Sequence, residues 1–261
     1  MTYSTIRIET DPRGIARLTL ARSHKHNALN AEMMSELTRA AAELGASAQV
    51  RAVILAADGE SFCAGGDLEW MKTQFAASRD QRMAEARVLA GMLRALNEMP
   101  KPLIAAVQGP AYGGGIGLIS VCDNAIAADT AKFGLTETRL GLIPATIGPY
   151  VVARMGEGPA RRVFMSARIF GAADAKGLGL LGSVVAPNEL QSAVEAEAKA
   201  YLSVAPGAVA SAKALVRRLG APIDDAVIEA TISRLADTWE GAEAHEGISA
   251  FFEKRRPKWT V

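Results

Sequence analysis

With 261 residues, 49% of them hydrophobic and 22% charged, the chain has the make-up of a soluble globular protein: one large core, or a core with a small appendage. A formal net charge of +1 and the lack of any basic tract offer no footprint for nucleic acid or a membrane surface. Two cysteines, Cys63 and Cys122, are too few for a disulfide framework and read as reduced packing residues, while His24, His26 and His245 fall in no metal-ligand spacing. The polar, alternating N-terminus and the absence of a bilayer-length apolar run make the cytoplasm the expected compartment.

Ile6 and Ile8 alternate with polar neighbours, "DPRG" at 11–14 supplies a turn, and Ala16, Leu18 and Leu20 alternate with Arg17 and Thr19, which predicts a hairpin. After the loop "ARSHKHNAL", Asn30 is placed to cap a helix marked by Met33, Met34, Leu37, Ala41 and Leu44. "RAVILAAD" (51–58) reads as a strand buried on both faces. Beyond "GESFCAGGDLEWM", Val88, Leu89, Met92, Leu93 and Leu96 mark a longer helix that Pro100 and Pro102 stop. "LIAAVQG" (103–109) is a second buried strand, a glycine run opens a helix to about Cys122, and "NAIAAD" (124–129) is a third strand. Strands alternating with helices predict parallel pairing through right-handed crossovers. Past residue 190 every segment is helical by period, so the expected organisation is an α/β core over 1–190 and an all-helical segment over 191–261.

Strands of a parallel sheet deliver their C-terminal ends to one edge, where ligands bind. Two loops at that edge are glycine-rich: "CAGGD" (63–67) and "GPAYGGGIG" (109–117). Glycine lets a ligand approach the main chain, and the first N–H groups of a helix point outward unpaired. Two such groups, one per loop, would form an oxyanion hole worth about 2.7–4 kcal/mol per donor once charge develops on a carbonyl oxygen. A dinucleotide fingerprint starting at Gly113 and Gly115 fails at Leu118, and no phosphate-binding G-x-x-x-x-G-K-[ST] occurs.

"SFCAGGDLEWM" (61–71), "KPLIAAVQGPAYGGGIGLISVCDNAIAADTAKFGLTETRLGLIP" (101–144) and "FFEKRRPKW" (251–259) resemble the enoyl-CoA hydratase/isomerase, or crotonase, family. "DLEWM" and "LGLIPATIGPYV" are most similar to its bacterial methylglutaconyl-CoA hydratase type. The resemblance implies a core of repeated β-β-α units with a mainly parallel sheet. It also implies an acyl-CoA thioester substrate, no cofactor beyond the CoA of that substrate, and assembly as a homotrimer or homohexamer whose C-terminal helices cover a neighbour's site. Carried onto this chain, the oxyanion donors are the backbone N–H groups of Gly66 and Gly114, and the catalytic acid is Glu137.

A typical hydratase of the family carries a further glutamate in the glycine-run helix, where this chain has Gly117. One carboxylate suffices for hydration if it takes a proton from water and returns it to the α-carbon, and it also suffices to shuttle a proton between the α- and γ-carbons. Hydration of a 2-enoyl-CoA, with branched or carboxylated acyl chains in range, is the reaction implied by the resemblance of "DLEWM" and "IPATIGPYV" to the hydratase subgroup. Double-bond isomerisation and a non-catalytic acyl-CoA scaffold are its alternatives. The implied substrate contacts are Lys25, His26, Ala28, Ala64, Asp67, Leu68, Trp70 and Gly113, with Phe252 and Lys254 from the C-terminal helices. On the residues alone, Trp70, Met71 and Phe75 suit either an acyl pocket or a core. Arg139 could pair with Glu137, contact an acidic substrate tail or face outward.

Overall fold

The computed structural model describes residues 3–261. In chain order, β1 (Ile6–Thr10) and β2 (Ile15–Leu20) precede α1 (Ala31–Ala46), β3 (Ala52–Ala57), α2 (Leu68–Ala76) and α3 (Arg79–Glu98). β4 (Leu103–Val107), β5 (Ala111–Tyr112), α4 (Gly114–Ser120), β6 (Asn124–Ala128) and β7 (Lys132–Gly134) follow. α5 (Gly148–Met155), α6 (Glu157–Phe164), β8 (Phe170–Gly171), α7 (Ala172–Gly177) and β9 (Ser183–Val185) complete the strand-bearing part. The remainder is α8 (Leu190–Ala200), α9 (Pro206–Leu219), α10 (Asp225–Trp239) and α11 (Ala242–Phe252). No helix among the described residues is long and apolar enough to cross a membrane.

The hairpin forms as expected, with Ile6 opposite Leu20 and the turn closed by the Gly14 N–H donating to the Asp11 carbonyl at 2.9 Å. From β2 onward the six-stranded sheet, ordered β1-β2-β3-β4-β6-β9, is parallel. Alternation sorts its side chains onto two faces. Leu18, Leu20, Val53, Leu55, Leu103 and Ala105 meet α1 and α3 in the main core, while Ile15, Ile54, Ile104 and Ile126 meet α8 through Leu190, Val194 and Ala198. The first helix beyond residue 190 is thus a layer on the main sheet. A three-stranded sheet, β5-β7-β8, with the short edge strand β9, goes beyond the three core strands and hairpin expected from sequence. These strands are two or three residues long. Such pieces carry too little alternation to register as a period.

Asn30 caps α1 by accepting the Met33 N–H at 2.9 Å. α10 packs on α3 through Ala86, Ala90, Ile228 and Ile232. α11 lies against the turn that carries Glu137: Ala244 and Ile248 join Leu142 and Trp239 in one cluster, and a side chain on Gly247 would meet the Leu140 backbone at 2.6 Å. α11 therefore folds over its own chain's site region.

Candidate active site

The ends of β3 and β4 open into the two glycine loops, and backbone bonds sew these together. The N–H groups of Phe62 and Cys63 both donate to the Pro110 carbonyl, at 3.0 and 3.2 Å, and Tyr112 N–H donates to the Cys63 carbonyl at 2.9 Å. A third segment joins them: Leu29 N–H donates to Gly65 at 2.7 Å, and Asp67 N–H donates to Leu29 at 2.9 Å. Gly65 and Gly113 occupy the left-handed side, at φ +95° and +46°, which admits glycine readily. Gly115 is glycine for a different reason, because its missing side chain leaves room for the Cys63 carbonyl, 2.5 Å from where a Cβ would sit.

Gly66 N–H and Gly114 N–H remain free. Among the described residues neither donates a hydrogen bond, and Gly114 is the first residue of α4. The loops that carry them touch: a Cβ on Gly114 would lie 3.9 Å from the Gly65 Cα. Two unpaired amides on adjoining loops, one with a helix dipole behind it, are an arrangement for an oxyanion.

Glu137 opens a 3-10 turn (Glu137–Leu140) after β7 and brings its carboxylate to the same place. Its Oε1 lies 3.0 Å from where a Cβ on Gly113 would stand, so that glycine also leaves room for the acid. The residue as a whole is half-buried, but Oε2 is sealed from solvent and has no hydrogen-bond partner. Burial pushes the carboxyl up to about 7, where it can both take and give a proton at neutral pH. The neighbouring Cys63 thiol is pushed up to about 12 by complete burial, which leaves it protonated and no nucleophile.

Asp67 has a structural occupation. It caps α2 by accepting the N–H groups of Glu69 and Trp70 at 2.8 and 3.4 Å, and it receives Arg22 Nη2 at 2.9 Å. Burial works to raise this carboxyl, yet the Arg22 bond and the two amides hold it below the usual range. Arg22 also donates to the Ala28 carbonyl at 2.5 Å, so one half-buried guanidinium braces the 22–29 loop against the first glycine loop. Arg22 is not among the site residues expected from sequence. Its signal was an arginine at the end of a buried strand, where an unpaired charge is costly.

The other expected contacts divide. Ala28 is buried, while Ala64 is exposed and donates its N–H to the His26 carbonyl at 3.0 Å. His26 Nδ1 sits 3.1 Å from Ser61 Oγ, and the exposed Lys25 pairs with the still more exposed Glu69 at 3.2 Å. Leu68 is exposed beside the loop; Trp70 lays its ring under Gly66, 3.5 Å from a Cβ there, and anchors Nε1 on Glu85 at 3.0 Å. Phe252 packs with the Trp239 and Leu142 cluster, and Lys72 Nζ lies 5.2 Å above its ring. Lys254 is exposed past the end of α11. Arg139 does not pair with Glu137: its Nη2 donates to the Ala167 carbonyl at 2.8 Å.

At Gly117 the space an acid would need is filled. A Cβ there would come within 2.6 Å of Ile147 Cγ2 and 3.6 Å of Leu93 Cδ2. A cavity of about 1140 Å³ lies elsewhere, between α9 and the N-terminal ends of β4 and β6, and is lined by Pro102, Asp123 and Tyr150 among others. It is lined by none of the glycine-loop amides and not by Glu137.

Residues 10–261 match the enoyl-CoA hydratase/isomerase family. The "Probable enoyl-CoA hydratase echA8" of Mycobacterium tuberculosis is 35% identical over 100% of this chain and 99% of its own length. The crystal structure of an enoyl-CoA hydratase from Shewanella pealeana superposes with a TM-score of 0.80 at 38% identity, covering 98% of this chain and 96% of that one. An enoyl-CoA hydratase from Mycobacterium avium gives 0.86 at 30%, covering 99% and 100%. Sequence match, superposition and the paired glycine loops agree: the chain belongs to the enoyl-CoA hydratase/isomerase family and is an enzyme of the crotonase fold.

Proposed function

We propose that the protein adds water across the double bond of a 2-enoyl-CoA, with Glu137 as its only proton carrier. The observation that carries this reading is the buried, unpartnered Glu137 Oε2 beside the two free amides. The thioester oxygen accepts from Gly66 and Gly114 N–H, which stabilises negative charge as water adds at C3. Glu137 takes the water's proton and delivers it to C2, so hydroxyl and proton enter on one face. Branched acyl chains, including carboxylated ones of the methylglutaconyl kind, are the substrate class; the "DLEWM" and "LGLIPATIGPYV" phrases support it.

A second reading is isomerisation between 3-enoyl and 2-enoyl thioesters, favoured by the packed space at Gly117, which leaves one carboxylate only. Incubation in deuterated water with a panel of 2-enoyl- and 3-enoyl-CoAs, followed by product masses, separates them. Water uptake supports hydration, bond migration alone replaces it with isomerisation, and no turnover across the panel removes both. The reading extends to assembly as a homotrimer or homohexamer. α9 buries none of its residues and exposes Leu215, Val216 and Leu219, and a sedimentation mass of one chain would remove that part.

A further inference from the structure

The two free amides come from separate loops, and an oxyanion needs both at once. Each donor must stand about 2.7–3.1 Å from the one position that the oxygen takes, so the distance between the loops is part of the chemistry. A displacement of about 1 Å in such a constellation can cost about 100-fold in rate. Some element of the packing must therefore set the spacing between Gly66 and Gly114.

Leu29 meets both loops at these points. Its main chain bridges to Gly66 in parallel register: Leu29 N–H donates to the Gly65 carbonyl at 2.7 Å, and the Leu29 carbonyl accepts from Asp67 N–H at 2.9 Å. Successive residues of an extended segment turn their peptide groups to opposite sides. With both flanking groups turned to Leu29, the Gly66 N–H points away from it and is left free. The Leu29 side chain reaches the other donor. Its Cδ1 lies 2.7 Å, and its Cγ 3.8 Å, from where a Cβ on Gly114 would stand, and the Gly65 Cα is 3.9 Å from that same point. The start of α4 is thus wedged between the Leu29 side chain and the first glycine loop. Leu29 has little play of its own: it is 3% exposed, Arg22 grips the Ala28 carbonyl before it, and Asn30 after it caps α1.

We propose that Leu29 is a positioning residue that sets the spacing of the two oxyanion donors, its main chain aiming the Gly66 amide and its side chain fixing the Gly114 amide. This rests on the reading above in which both amides bind the thioester oxygen. The effect of Leu29 passes through those amides, since it carries no proton and its side chain offers the substrate no polar group. A side chain too short to reach Gly114 lets the start of α4 settle toward the 29 position, and the two N–H groups no longer converge on one oxygen. Ground-state binding is little affected by that change, whereas the charged form of the acyl end is, because the amides matter most when negative charge develops.

The test compares Leu29→Val and Leu29→Met with the wild type, with Leu37→Ala as a control for lost packing, because Leu37 is fully buried in α1 and lies outside both loops. Valine removes the Cδ atoms that reach Gly114, and methionine keeps the reach and the volume. With the panel's best 2-enoyl-CoA, Leu29→Val should lower kcat about 10- to 100-fold while KM stays within about threefold. Leu29→Met should keep most of kcat, and Leu37→Ala should stay within about twofold of the wild-type kcat although its Tm falls. A second readout needs no turnover. Acetoacetyl-CoA, a 3-keto thioester, ionises to an enolate with its own ultraviolet band, so the enolate-to-ketone ratio of the bound ligand reports on the amides directly. That ratio should fall about 10-fold in Leu29→Val and hold in Leu29→Met. A Leu29→Val variant with wild-type kcat or a wild-type enolate ratio overturns the proposal, as does a Leu37→Ala variant that loses as much of both. If the wild type stabilises no enolate, the amide reading falls and the proposal with it. If it does so while no 2-enoyl-CoA is hydrated, only the hydration reading falls, and the enolate ratio still decides on Leu29.

Discussion

Replacing Glu137 with glutamine should lower kcat/KM by about 10²–10⁴ while thioester binding is retained, the result expected if, as proposed, Glu137 is a lone general acid-base and backbone amides are the oxyanion donors. Isothermal titration with CoA or a saturated acyl-CoA reads the binding, and unchanged turnover would take Glu137 out of the mechanism. The wild-type kcat/KM should rise with pH through about 7, because the carboxylate must be ionised to accept the water's proton and burial has moved it there. The same shift has a stability consequence of opposite sense. Between about 4.5 and about 7 the folded chain holds a proton that the unfolded chain has released, so stability falls as pH rises through that window. The loss attributable to this group is about 3–4 kcal/mol at most, and it levels off above the window, where both states are ionised. Urea unfolding of the wild type and Glu137→Gln across the window should show that slope in the first and lack it in the second.

The features that place this carboxylate were mostly legible in the sequence. Buried strands at 52–57 and 103–107 announced themselves as apolar runs, and a parallel sheet puts the loops that follow them at one edge. The glycines between 63 and 117 then marked that edge as a place of close backbone approach. Helix α2 was less visible, although Asp67 caps it in the ordinary way, because it is nine residues long and buries only Gln74, which leaves no apolar period to read. What could not be read was which glycine serves which purpose. Gly113 and Gly65 answer to backbone dihedrals, whereas Gly115 and Gly117 answer to neighbours far away in sequence, Cys63 and Ile147. Arg139 shows the same limit: two residues from Glu137 in sequence, it is turned by the 3-10 geometry toward the Ala167 carbonyl. Contacts across such separations are set by the packing of the whole chain, not by local pattern.

Gly117→Glu, the substitution that would restore the family's second acid, should instead destabilise the fold. The new Cβ would press on Ile147 Cγ2 at 2.6 Å and on Ile147 Cβ at 3.1 Å, and a β-branched side chain that is 3% exposed has little freedom to turn away. Overpacking alone costs about 1–3 kcal/mol, and an added carboxylate in that apolar wall brings the total above about 4 kcal/mol. For a chain of this size that corresponds to a Tm lower by about 10 °C or more. Ile147→Ala should cost about 2–5 kcal/mol by itself, yet in the double variant it makes room, so the pair should be less damaging than the sum by about 1–3 kcal/mol. A double-mutant cycle in urea measures that coupling. Additive costs would mean that Ile147 does not fill the acid's place. A Gly117→Glu variant as stable as the wild type and faster in hydration would mean that the wall yields, and that this helix face can hold two acids. The predicted coupling makes Gly117 and Ile147 a matched pair, and it ties the glycine at this position to a packed neighbour that leaves no room for a carboxylate.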